Sequence, residues 1–94
     1  MRVLLRKLPP LLNDILGEAL AGESDIALVA QSPDVVVMQG TRDDADDVFR
    51  ASGGARVVAI DPHATHAIIL GDGEAVVLSD VSPTTIIAAI RGTA

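Results

Sequence analysis

The chain has no cysteine, no tryptophan, no tyrosine and a single phenylalanine among its 94 residues. Without cysteine there is no disulfide, no thiolate metal site and no thiol nucleophile, a composition expected of a cytoplasmic protein. With Phe49 as the only ring, nothing is available to stack a nucleobase or a flavin, and the core has to be built from aliphatic side chains. Positive charge is also scarce. Seven basic against 13 acidic residues give a formal charge of -6, which repels a phosphate backbone, so no direct nucleic-acid binding is expected of this domain. No apolar run reaches the ~18 residues of a membrane span, and Pro9-Pro10 interrupts the basic, apolar start MRVLLRKLPPLL, so no membrane association is expected and that start reads as a strand and a helix.

What is present is Val, Ile, Leu and Ala in short runs, within a hydrophobic fraction of 49%. The length allows one small domain, residues 1–94, and too little chain for two cores. Arg2 to Arg6 reads as a strand buried on both faces. Leu11, Leu12, Ile15, Leu16, Ala19 and Leu20 form a helical stripe over about residues 9 to 21, stopped by Gly22. Ile26 to Ala30 and Val35 to Met38 are two further aliphatic runs. The Gln31-Ser32-Pro33-Asp34 link is too short for a parallel crossover, so a hairpin or a shifted short strand is the simpler expectation. Thr41 or an Asp caps a second helix near 43 to 52, and Arg56 to Ile60 is a strand ended by Asp61-Pro62. His66 to Leu70, Gly71-Asp72-Gly73 and Glu74 to Leu78 read as a β-hairpin. Ser82-Pro83 starts a last helix whose inner face is Ile86, Ile87 and Ile90. The alternation predicts an α/β sandwich, a mostly parallel sheet of about five strands with about three helices.

PDVVVMQGTRDD, residues 33 to 44, carries the functional question. A buried strand runs up to Gln39-Gly40, and the carboxyl end of such a strand is where ligands and chemistry sit in an open α/β sheet. MRVLLRKLPPLLNDILGEAL, SPDVVVMQ, ARVVAI and VVLSDVSPTTIIAAIR follow in order the first strand and helix, the third strand, the fourth strand, and the fifth strand with its helix, of response-regulator receiver domains. The chain most resembles receivers joined to LuxR-type DNA-binding domains. The resemblance implies a phospho-acceptor aspartate at the third strand end, an acid pair for Mg²⁺ after the first strand, a hydroxyl after the fourth and a lysine after the fifth. Those positions fall on Gln39, on Arg6 and Lys7, on Asp61 and on Ser79. An amide cannot form an aspartyl phosphate, and two cations repel Mg²⁺. The resemblance thus implies a reduced pseudo-receiver with no cofactor and no catalysis, its fourth helix replaced by the hairpin, regulating transcription or another process by dimerisation or partner binding.

The remaining chemistry-bearing residues have plainer readings. Arg6, Lys7 and Asp61 at strand ends could line a pocket for an anionic metabolite, or simply be solvated ends without a glycine-rich cradle. Asp61, His63 and His66 within DPHATH have no recognisable metal spacing and read as loop residues. Gly71 to Glu74 is short of carboxylates for calcium, and Asp43, Asp44, Asp46 and Asp47 suit a helix start. Ser79, Ser82 and the histidines have no nucleophile elbow around them. The aliphatic surface of the carboxyl-terminal half, Ile68, Ile69, Leu70, Val77, Ile86, Ile87 and Ile90, exceeds what one helix covers. A symmetric homodimer burying ~800 Å² per partner is the expected closure, with another regulatory protein as the alternative partner.

Overall fold

The computed structural model describes residues 1–71 and 75–92. The chain runs β1 (Arg2–Arg6), α1 (Pro10–Ala21), β2 (Ala27–Leu28), β3 (Val35–Gln39), α2 (Arg42–Ala51), β4 (Arg56–Ile60), β5 (Ala67–Leu70), β6 (Val76–Leu78) and α3 (Pro83–Arg91). These join in one six-stranded sheet of order β2-β1-β3-β4-β5-β6. β2, β1, β3 and β4 pair in parallel, and β4 with β5 and β5 with β6 pair antiparallel. The sheet is therefore mixed rather than mostly parallel, and it has six strands where about five were expected. Both corrections have one cause. Six residues, Asp61 to His66, join β4 to β5, and a parallel return needs a dozen or more, so the chain can only reverse. Both hairpin strands then enter the sheet. The turn expected over Gly71-Asp72-Gly73, and the calcium reading of Gly71 to Glu74, lie outside the described residues apart from Gly71.

The link between β2 and β3 is solved without a hairpin. β2 is only two residues long and pairs with the amino end of β1, Arg2 with Ala27 and Val3 with Leu28, while β3 begins opposite Val3 on the other side. Because β2 stops where β3 starts, the link has to pass sideways beneath β1 and not back along it. Asp34 anchors its far end: its carboxylate accepts from the Arg2 amide at 2.9 Å, its own amide donates to Arg2 O at 2.8 Å, and its carbonyl accepts from the Arg56 amide at 3.1 Å.

Strand alternation divides the core in two. Val3, Val35, Val37, Val58 and Ile60 face α1 and α3, where Leu16, Leu20, Ile86, Ala89 and Ile90 meet them. Val36, Met38, Val57 and Ala59 face the other way onto Ala45 and Val48 of α2. Residues Val35 to Met38 are consequently all buried, which is why this strand reads as an unbroken apolar run. The stripe of α1 is narrower than its sequence suggests. Leu16 and Leu20 are buried and Leu12 packs beside them, but Leu11 is 73% and Ile15 43% exposed.

Helix ends are closed by side chains and by charge. Ser82 caps α3, its hydroxyl accepting from the Thr85 amide at 3.3 Å while Asp80 holds the Ser82 and Thr85 hydroxyls at 2.9 and 2.8 Å. At the other end Arg56 Nη1 donates to the last-turn carbonyls of Ala89 and Ile90. Arg91 makes a fork onto Asp25 at 2.8 and 3.2 Å, which lowers the Asp25 carboxyl below its ordinary value and ties α3 to the loop before β2. Among the described residues no helix is long and apolar enough to cross a membrane.

Candidate functional site at the strand carboxyl ends

β1 and β3 are neighbours, and the strand order departs from them in opposite directions, β2 on one side and β4 on the other. Such a reversal leaves a crevice beyond the carboxyl ends of the two strands. The crevice is present as an open cleft of about 280 Å³ lined by Arg6, Lys7, Met38, Gln39, Asp44, Asp47, Val48 and Ala51.

Each wall has a local cause. β1 has to reach α1 within three residues, and Lys7 makes the bend in the left-handed region at φ 55°. A side chain there costs about 1–2 kcal/mol, a strain of the kind that gathers at working sites. On the other wall, Gly40 lets β3 pass directly into α2. A Cβ at Gly40 would lie 2.8 Å from Asp44 Oδ2 and 3.0 Å from Met38 Cε. Thr41 then caps α2 in a reciprocal pair: its hydroxyl accepts from the Asp44 amide at 3.3 Å, and Asp44 Oδ2 accepts from the Thr41 amide at 2.9 Å and hydroxyl at 3.1 Å. The Thr41 amide, then its hydroxyl, hold the Asp44 carboxyl below its ordinary value against a smaller opposing effect of desolvation, and the charge of Lys7 adds to the lowering.

Gln39, which the receiver resemblance places at the phospho-acceptor position, is turned to structural use. Its Nε2 donates to the carbonyls of Asp61 at 3.3 Å and Pro62 at 3.4 Å, stapling the end of β3 to the loop that leaves β4. Asp61 in turn organises that loop. Its carboxylate accepts from the amides of His63, Thr65 and His66 and from the Thr65 hydroxyl, at 2.6 to 3.3 Å. Partial burial pushes its carboxyl up, but the three amides and the hydroxyl outweigh that and hold it down to about 2. Asp61 is thus a loop anchor with its oxygens already engaged. It lines a separate, mostly apolar cleft of about 260 Å³ with Arg42, His66, Ile68 and Val77.

The structure brings together Arg6, Lys7 and Gln39, and does not bring Asp61 or Ser79 into their cleft. Ser79 follows β6, and β5 lies between β6 and β4, so Ser79 is displaced from the Asp61 end by two ladder spacings, about 9.5 Å. The Mg²⁺ of a receiver does not fit here, because the positions that would hold it are two cations beside a neutral amide. His63 and His66 are exposed, with His66 Nδ1 3.9 Å from the Asp61 carboxylate, and among the described residues no three His, Cys, Asp or Glu side chains gather to hold a metal ion.

The expected interface residues divide by burial. Ile86 and Ile90 are fully buried and Leu70 is 7% exposed, so these three are consumed by the monomer's own core and offer no surface to a partner. α2 on the opposite face, not allowed for in the sequence estimate of uncovered area, accounts for Leu70. Ile68, Ile69 and Ile87 are half-buried, and Val77 on the edge strand β6 is 66% exposed. The sequence offers Asp61 or the acids near Asp43 as internal partners of Arg6 and Lys7, and the structure puts Asp44 and Asp47, not Asp61, across the cleft from them. The spacing of three between Asp44 and Asp47 on a helix that starts beside Gln39 is the signal, since residues three apart share a side. No family model matches the chain, and neither the curated proteins nor the solved structures contain a match.

Proposed function

We propose that the chain is a non-catalytic regulatory domain, a reduced pseudo-receiver that works in the cytoplasm by binding and not by phosphotransfer. The observation that supports this reading best is the Gln39 amide. It occupies the end of β3 and spends its donors on the Asp61 and Pro62 carbonyls, beside Arg6 and Lys7. The end of β3 itself carries no acceptor carboxylate, and the end of β1 carries two cations where a metal-holding acid pair would stand. Regulation then has to run through surfaces. The edge strand β6, with Val76 46% and Val77 66% exposed and no charge on its three residues, is the surface most in need of a partner. A second copy of the chain or a regulatory protein would supply it, and the formal charge of -6 argues against nucleic acid as that partner. The test is incubation with acetyl phosphate and Mg²⁺ followed by intact mass. An unchanged mass is expected, and an adduct of about 80 Da, the phosphoryl group transferred by such chemistry, would overturn the proposal.

A further inference from the structure

The cleft between the carboxyl ends of β1 and β3 has an arrangement of charge that the pseudo-receiver reading does not require and that the cap of α2 explains only for Asp44. Arg6 and Lys7 stand on the β1 side, Asp44 and Asp47 on the α2 side, and Met38, Val48 and Ala51 supply apolar lining. Among the described residues, the ion pairs within 4 Å are those of Arg91 and His66, so the two cations and the two carboxylates of the cleft do not close on each other. Asp44 uses Oδ2 in the cap of α2 and makes no hydrogen bond through Oδ1, and among the described residues the Asp47 carboxylate has no hydrogen-bond partner. A cleft formally neutral but divided into a positive and a negative wall, at the strand-order reversal, is complementary to a molecule divided in the same way.

We infer that this cleft binds a small zwitterion, an α-amino acid or a molecule of that size with one carboxylate and one ammonium, held by Arg6 and Lys7 at its anionic end and by Asp47 and Asp44 at its cationic end. Size agrees with this class. About 280 Å³ lies just below the ~300–1,000 Å³ of sites for drug-sized ligands. A simple anion such as phosphate fits less well, because it would meet two carboxylates in a chain of charge -6. A divalent cation would meet Arg6 and Lys7. Met38, Val48 and Ala51 favour a short aliphatic side chain on the ligand.

Glycine, L-alanine, L-valine and L-leucine are the probes, with acetate, inorganic phosphate and methylammonium as single-charge controls, each titrated against the ¹⁵N-labelled chain. At least one amino acid is expected to move the Arg6, Lys7, Gln39 and Asp47 amides saturably, at least about tenfold more tightly than any control. Asp47→Asn decides between a zwitterion and an anion. Removing that carboxylate should weaken the amino acid at least about fivefold, whereas for a plain anion it should tighten binding. Lys7→Gln should weaken it as well, and both residues are exposed, so both variants should fold. Tighter or unchanged binding by the Asp47 variant would overturn the inference. So would phosphate or acetate matching the amino acids, or no shift with any probe up to about 10 mM. The outcome is separable from the pseudo-receiver proposal, since acetyl phosphate reactivity is read by mass and does not enter this titration.

Discussion

Gln39→Glu asks whether the amide at the end of β3 is a staple or a bystander. The substitution keeps length and shape and removes the two N–H groups that donate to Asp61 O at 3.3 Å and Pro62 O at 3.4 Å. Both bonds are long, so each is worth about 0.5–1 kcal/mol net. Losing both costs about 1–2 kcal/mol, and a carboxylate facing two carbonyl oxygens adds repulsion to that. For a 94-residue domain one kcal/mol moves the midpoint by about 4–8 °C, so the variant should melt roughly 5–15 °C lower at pH 7.

The pH dependence gives the sharper signature. The two carbonyls in hydrogen-bond contact favour the acid form of the introduced carboxyl, which can donate one hydrogen bond, while Arg6 and Lys7 in the same cleft make no hydrogen bond to position 39 and pull the other way less strongly, so its folded pKa rises above the ordinary ~4.3. A group raised in the folded state stabilises below its unfolded pKa, and that contribution is lost as pH rises through the folded value. The deficit against the parent chain should therefore be largest at pH 7 and shrink toward pH 4. Urea unfolding at a series of pH values measures it. Stability within about 0.5 kcal/mol of the parent at pH 7, the range of an inert surface change, would refute the staple.

Three further perturbations test neighbouring features. Asp61→Asn should flatten the acid limb of stability: the Asp61 carboxyl is lowered from 3.8 to about 2, so its contribution is present above about pH 4 and lost as pH falls toward 2, and parallel midpoint curves for parent and variant in calorimetry over that window would contradict it. Lys7→Gly should raise stability by about 0.5–1 kcal/mol, because the relief of a left-handed φ of 55° exceeds the extra backbone entropy, and a lower denaturant midpoint would show that Lys7 makes a compensating contact. Val77→Lys should leave the monomer's stability within about 0.5 kcal/mol while converting a dimer to monomer in light scattering, whereas Ile86→Lys should unfold the chain because Ile86 is fully buried. A parent chain that is already monomeric at tens of micromolar would move the bet to a partner of another sequence.

The strands were legible because their sequences and their environments obey the same rule. Arg2–Arg6 and Arg56–Ile60 were read at their observed bounds, and Ser82-Pro83 and Thr41 were read as helix starts, since capping chemistry is local. The errors lie where a local pattern has two solutions that only the rest of the chain can choose between. Leu11 and Ile15 belong to the apolar stripe of α1 by spacing, yet it is Leu12, Leu16 and Leu20 that pack into the core while Leu11 and Ile15 stay exposed. The uncovered area of the carboxyl-terminal half was overestimated because it was weighed against one helix, and α2, which precedes those strands in sequence, covers their other face.

The candidate site was half legible for the same reason. Arg6, Lys7 and Gln39 each end a strand, and strand ends of a parallel ladder converge whatever the details. Asp61 also ends a strand and was grouped with them, but a carboxylate two residues before His63 finds the loop amides sooner than it finds a distant cation, and the short Asp61–Thr65 bond of 2.6 Å shows which partner won. Asp44 and Asp47 were assigned mainly to the dipole of α2, which explains acids in a first turn without regard to direction, although only Asp44 of the two lies in that turn. Direction is what matters for the cleft. Gly40 and the Thr41 cap fix the rotation at which α2 begins, that rotation turns Asp44 and Asp47 toward β1, and the same two residues thereby become the negative wall opposite Arg6 and Lys7.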